Sequence, residues 1–144
     1  MKFWFLAATA VSGLALAQAP SLSGVWQTVS DRSGEAESLI RVTEADGAFE
    51  GTVIRVFSPP AASANPRCEH CAGELKDEPI VGMKILRGAR RTGESVGEGE
   101  ILDPDEGRIY RCTVTLTDGG AKLEVRGYVG ISLFGRTQVW LRAE

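Results

Sequence analysis

Two cysteines three positions apart, Cys68 and Cys71, enclose Glu69 and the only histidine of the chain, His70, in the stretch NPRCEHCAGEL. Three chemistries use such residues. A dithiol redox centre places Cys-x-x-Cys at the start of a helix, where the helix N-terminus lowers a thiol pKa; here the pair lies in a proline-flanked stretch with no helical pattern. A zinc site takes about four ligands, and closed structural sites bring them as separated pairs; no second pair is present. Covalent haem attachment needs a histidine after the second cysteine, whereas His70 lies between the two. In an oxidising compartment neighbouring thiols form a disulfide. A Cys68–Cys71 clip is therefore expected, with exchanging thiols and a metal site as alternatives, and no metal ligand is assigned. Cys112 is then the odd cysteine, and a bond from it to either partner stays open.

Other groups invite chemistry less directly. LDPDEG carries Asp103, Asp105 and Glu106, a carboxylate cluster of the kind that binds calcium or serves in acid–base work. The order Asp, Pro, then a closing Gly reads instead as a turn. Gly127, Gly130 and Gly135 follow no phosphate-loop or dinucleotide pattern; they mark bends of a closing sheet. A Ser-His-Asp arrangement would have to use His70, and no nucleophile elbow is present. No catalytic residue and no cofactor are assigned, and the chain is not expected to be an enzyme. Arg126, Tyr128 and Arg136, with Tyr110, are the remaining candidates. An Arg aimed into a small barrel needs a counter-ion, which an acidic amphiphile would supply through a bidentate contact; the alternative is an outward Arg on a solvated face.

The elements that would position these residues are strands. GVWQTVS (residues 24–30), SLIRVTE (38–44), FEGTVIRVF (49–57), PIVGMKILRG (79–88, with a short helix as the alternative), VGEGEIL (96–102), RIYRCTVTLT (108–117), AKLEVRGYV (121–129) and RTQVWLR (136–142) are short and separated by turn residues. That spacing predicts an antiparallel meander. About eight strands leave two edges unless the sheet closes, so an all-β up-and-down barrel is expected. Residues 58–78, with Pro59, Pro60 and Pro66, form one long loop that carries the cysteines. In RIYRCTVTLT the face of Tyr110, Cys112, Val114 and Leu116 points to the core. The last strand is ambiguous: either the face of Arg136, Gln138, Trp140 and Arg142 lines the barrel, or Trp140 sits outside.

The first residues read as a leader. Lys2 precedes an apolar run ending in Ala15-Leu16-Ala17, shorter than the ~20 residues that span a bilayer. Residues 1–17 are expected to be a signal peptide and 18–144 a single domain, soluble and periplasmic or secreted. Loss of the one positive charge of Lys2 takes the formal net charge from −3 to −4. With no basic stripe, nucleic acid is a poor partner.

Two resemblances rest on these residues. Gly24-x-Trp26 on the first strand, with Arg142 near the end of the last, resembles the lipocalin and calycin pattern, which implies a tryptophan closing the barrel base under an arginine. PIVGMKIL, GEILDPDEGRIYRC and LEVRGYVGISLFGRTQVWLR, preceded by CEHC, closely resemble the exported bacterial family known as domain of unknown function 2147 (DUF2147). That resemblance implies a small lipocalin-like barrel and no activity. RGY is also similar to the Arg and Tyr with which fatty-acid-binding barrels hold a carboxylate. The expectation is therefore a barrel binding a small apolar or acidic amphipathic ligand. The rivals are a filled barrel acting through its surface and long loop, and a thiol or metal role for CEHC.

Overall fold

The computed structural model describes residues 13–14, 21–57, 65–92, 96–131, 133 and 135–144. The expected leader falls outside the described residues except at Gly13 and Leu14, as do Pro59 and Pro60. Eight strands form a closed antiparallel barrel in sequence order: β1 (Gly24–Val29), β2 (Ala36–Ala45), β3 (Ala48–Val56), β4 (Lys84–Arg91), β5 (Val96–Asp103), β6 (Arg108–Thr117), β7 (Lys122–Tyr128) and β8 (Gly135–Arg142). Each strand pairs with its sequence neighbour, and β8 returns to β1 through Trp26↔Arg142 and Gln27↔Leu141. Among the described residues every strand has a neighbour on both sides, which removes the exposed edges of an open sheet. Among the described residues no helix is long and apolar enough to cross a membrane.

The period-two pattern sorts the side chains as expected for β6: Cys112 and Val114 are buried and Arg111 is exposed. In β8 the ambiguity resolves toward the Arg-bearing face. Trp140 is buried inside, in register with Leu123, while Thr137, Val139 and Leu141 are exposed outside. The physical reason is volume, because Trp140 and Trp26 fill the barrel where smaller side chains would leave a void.

The strand boundaries differ from the sequence expectation by no more than a residue or two except at β4, where the difference is larger. Residues 79–83 are not strand, and β4 begins at Lys84. Pro79 has no N–H to give a ladder, and it makes only an isolated bridge to Arg67. The chain then turns, with Gly82 N–H donating to the Val53 carbonyl at 2.7 Å and Met83 N–H to the Ile80 carbonyl at 3.0 Å.

The barrel has two unlike ends. At the closed end lie the 46–47 turn, the Asp118–Gly120 turn and both terminal segments. At the open end lie the β1–β2 loop, the cysteine-bearing strap from Asn65 to Met83, the β5–β6 turn and the β7–β8 loop.

Candidate functional site

The closed end is sealed by Arg142. Its guanidinium carbon stands 4.2 Å from the centroid of the Trp26 ring. It donates to three carbonyls, Gly120 at 2.7 Å, Ser23 at 3.0 Å and Ser21 at 2.6 Å. Trp26 Nε1 donates to the Leu22 carbonyl at 2.8 Å. The five N–H donors of a guanidinium suit this role, since three carbonyls from two segments converge on one planar group. Gly24 is required beside it: at φ 140°, a β-carbon there would lie 2.6 Å from an Arg142 nitrogen and 2.7 Å from the Glu144 carbonyl oxygen.

Above this floor the barrel is solid. Trp26, Ile40, Val42, Phe49, Val53, Leu86, Ala89, Cys112, Val114, Leu123, Val125 and Trp140 face the axis, and none is more than 4% exposed. Among the described residues these twelve belong to one buried cluster and keep almost no accessible surface. Cys112 is part of this packing. Burial pushes its thiol up to about 12, aided by Glu100 and opposed by a backbone hydrogen bond from Gly99. It is a neutral, inert apolar group.

Cys68 and Cys71 form a disulfide, with both residues buried. The strap around it is a small folded unit. Cys68 N–H donates to the Glu78 carbonyl and Asp77 N–H to the Cys68 carbonyl, each at 2.9 Å, and Ile80 N–H donates to the Pro66 carbonyl at 2.8 Å. It seats against the β5–β6 turn, where Cys68 Sγ, which carries no proton in the disulfide, lies 3.3 Å from the Pro104 carbonyl oxygen. Leu102 faces away from the barrel axis by alternation with Ile101, yet it is buried in one cluster with Cys68 and Cys71. His70 is exposed. Among the described residues no group of three or more His, Cys, Asp or Glu side chains is placed to hold a metal ion.

LDPDEG is a turn. The Asp103 carboxylate accepts from the N–H groups of Asp105 (2.9 Å) and Glu106 (3.2 Å), and Gly107 N–H donates to the Asp103 carbonyl at 2.7 Å. Asp105 is raised above its ordinary pKa by burial and then by Asp103 and Glu106. Glu37, at a bulge of β2, is raised by burial and then by Asp105, while the Ser30 hydroxyl and Arg136 oppose the shift. Tyr110 donates its hydroxyl to the Glu106 carboxylate, which raises the phenol pKa, and Arg108 stacks over its ring at 5.4 Å. Arg136 pairs with Asp31 at 3.0 Å, tying β8 to the β1–β2 loop.

The four ligand candidates are therefore not one site. Tyr110 lies on the inward register at the rim and is engaged with Glu106. Arg136 is at the rim and paired. Arg126 does not enter the barrel. It lies on the outer wall, its guanidinium donating to Thr137 Oγ1 at 3.0 Å and to the Leu133 carbonyl at 3.4 Å. Tyr128 shares that outer face, beside Gly135. The correction follows from pleating: Leu123 and Val125 face the core, so Arg126, one position on from Val125, faces out.

The family model described as "Uncharacterized protein conserved in bacteria (DUF2147)" matches residues 24–142. The chain belongs to the DUF2147 family. No curated protein matches it in sequence. Among solved structures, this DUF2147 chain is similar to protein HP1028 from the human pathogen Helicobacter pylori, described as belonging to the lipocalin family. The two are 21% identical, with a TM-score of 0.72 over 87% of this chain and 84% of that one. At that identity the likeness shows a shared lipocalin-like fold.

Sequence reasoning about this DUF2147 barrel missed Glu37, because a bulge re-aims it, and bulges leave little local trace. It also missed the β7–β8 loop as a surface feature. Val129, Ile131 and Leu133 are 60%, 58% and 75% exposed. The signal was in the letters, as apolar residues between Gly127 and Gly135, but a loop and a strand end read alike there.

Proposed function

We propose that the protein is an interaction module of the cell envelope, a filled lipocalin-like barrel that works through its open-end loops rather than by enclosing a ligand. The observation that carries this reading is the packing of twelve of the axis-facing residues, Trp26, Phe49 and Trp140 among them, each at most 4% exposed. Ligand-holding barrels keep room inside. A recess of about 410 Å³ lies on the outer wall at Arg90, Glu98, Glu100 and Arg111, away from that interior. The envelope location rests on the leader-like sequence of residues 1–17. Thiol exchange is disfavoured by the burial of both disulfide partners.

One observation favours a second reading. Ser38, Val56, Ile101, Tyr110 and Gln138 turn inward near the rim and are only half-buried. They outline a shallow cup that would seat a small apolar or acidic amphipathic molecule. Native mass spectrometry of the protein purified from its host compartment, repeated after denaturation, separates the two. The filled-barrel reading expects the bare native mass. A bound species released on denaturation would overturn it in favour of the cup.

A further inference from the structure

We infer that the recess on the outer wall, where β4, β5 and β6 run side by side, is a binding site for a small zwitterion, a free amino acid or a dipeptide. The site stands apart from the barrel interior, so it holds whether that interior is filled or not.

The recess lies at a break in the β4–β5 ladder. Arg87 pairs with Glu100 and Arg90 with Glu98, so two β4 residues, Gly88 and Ala89, stand against the single residue Gly99. That count is a β-bulge, which interrupts pairing and re-aims the side chains around it. Gly88 passes through it at φ 59° and brings no side chain. Gly99 must also be bare, because a β-carbon there would lie 2.5 Å from the Arg87 carbonyl oxygen. Beside the bulge is a hollow of about 410 Å³, lined by Arg90, Thr92, Glu98, Gly99, Glu100 and Arg111. That volume lies in the range of small-molecule sites.

The charges on its walls are ordered. Glu98 and Glu100 project from β5 on one face, about 7 Å apart by strand geometry. Arg90 flanks them on β4, opposite Glu98, and Arg111 flanks them on β6, opposite Glu100. Opposite charges facing each other across neighbouring strands ordinarily pair. Among the described residues none of these four side chains makes an ion pair or a hydrogen bond. Arg87, also opposite Glu100, turns instead to the Lys84 carbonyl at 3.3 Å. Two guanidiniums and two carboxylates therefore keep their donors and acceptors for an occupant.

The balance of these charges selects that occupant. A plain anion would meet two carboxylates, and a plain cation two guanidiniums. A molecule with a carboxylate and an ammonium satisfies both kinds of wall. Its carboxylate takes paired N–H donors from Arg90 or Arg111, and its ammonium donates to Glu98 and Glu100. Amino acids and dipeptides carry these two groups within one small frame.

The test is amide NMR of the full mature protein, titrated with alanyl-alanine and, in parallel, with the twenty free amino acids. Saturable shifts are expected at the Thr92, Gly99 and Arg111 amides with at least one of these probes. The N-acetylated and C-amidated forms of that probe should each bind about tenfold more weakly, the size of one lost charge-assisted contact. Arg111→Gln and Glu98→Gln should each weaken binding of the unblocked probe about tenfold. Both side chains are exposed, so circular dichroism and melting temperature should not change. Absence of saturable shifts with every probe overturns the proposal, as does equal binding of the blocked forms or wild-type affinity in both variants. Inorganic phosphate that saturates the same amides more tightly than any zwitterion also overturns it, and makes the recess a plain anion site.

Discussion

Gly107→Ala tests whether the disulfide strap is seated on the β5–β6 turn as described. Gly107 sits at φ 70°, and a β-carbon built on it overlaps the His70 carbonyl and comes within 2.6 Å of Cys71 N. Two costs combine. A non-glycine residue in the left-handed region costs about 1–2 kcal/mol. Overpacking against neighbours that cannot yield costs about 1–3 kcal/mol, and here the neighbours are backbone, held by the Cys68–Cys71 bond and the Cys68–Glu78 hydrogen bond. The expected loss is about 2–5 kcal/mol, a fall in Tm of about 8–20 °C for a domain of this size. The control is Gly73→Ala in the same strap. Gly73 also has positive φ, 62°, but nothing lies within 4 Å of its built β-carbon. That variant carries only the conformational cost, about 1–2 kcal/mol, or about 4–8 °C. Calorimetry on the two variants and the wild type gives the comparison. If Gly107→Ala falls no further than Gly73→Ala, the strap does not press on the turn and the reasoning fails.

Three further expectations follow from the same geometry. Arg142→Met removes three carbonyl-directed hydrogen bonds and the stack on Trp26; it should cost about 3 kcal/mol or more in urea unfolding, and Arg142→Lys should recover only part because an ammonium cannot span the three acceptors. Ellman titration should find no reactive thiol in the native protein and one after denaturation without reductant, since Cys112 is buried with a thiol pKa near 12 and the other two cysteines are bonded; the Cys68→Ala/Cys71→Ala variant should lose at least about 2 kcal/mol, the loop-closure value for so short a bridge. Glu37 and Asp105 hold their protons more tightly folded than unfolded. Between the ordinary carboxylate pKa and the raised one the native state therefore binds more protons, and stability falls as pH rises through that window. Glu37→Gln and Asp105→Asn should each stabilise the protein at neutral pH, and the gain should vanish below the ordinary carboxylate range; a gain that persists in acid would refute the assignment.

What could be read from the letters was what is local. Period-two alternation in RIYRCTVTLT and LEVRGYV identifies strands and their faces, because neighbouring side chains on a pleat must point opposite ways. The same rule, applied to Leu123 and Val125, places Arg126 on the outer wall. Turn chemistry in LDPDEG was legible because Asp103 caps its own turn and Gly107 supplies the left-handed residue. The Cys68–Cys71 pairing was legible from the closeness of the two cysteines in sequence.

The rest depended on contacts between distant residues. In β8, Trp140 shares a face with Arg136, Gln138 and Arg142, and hydropathy alone does not choose which face goes in. The choice was made by the closed barrel, where Trp140 packs beside Leu123 and Arg142 finds Trp26 and three carbonyls from other segments. Whether the interior is hollow is likewise a sum over eight strands: two tryptophans and a phenylalanine fill a small barrel only when closure turns all three inward. Register also decided that Asp31 meets Arg136, that Tyr110 is occupied by Glu106, and that Val129, Ile131 and Leu133 end in solvent. Strand identity is local, because it comes from the alternation of neighbours along one segment; what a barrel encloses and what it presents are properties of its closure.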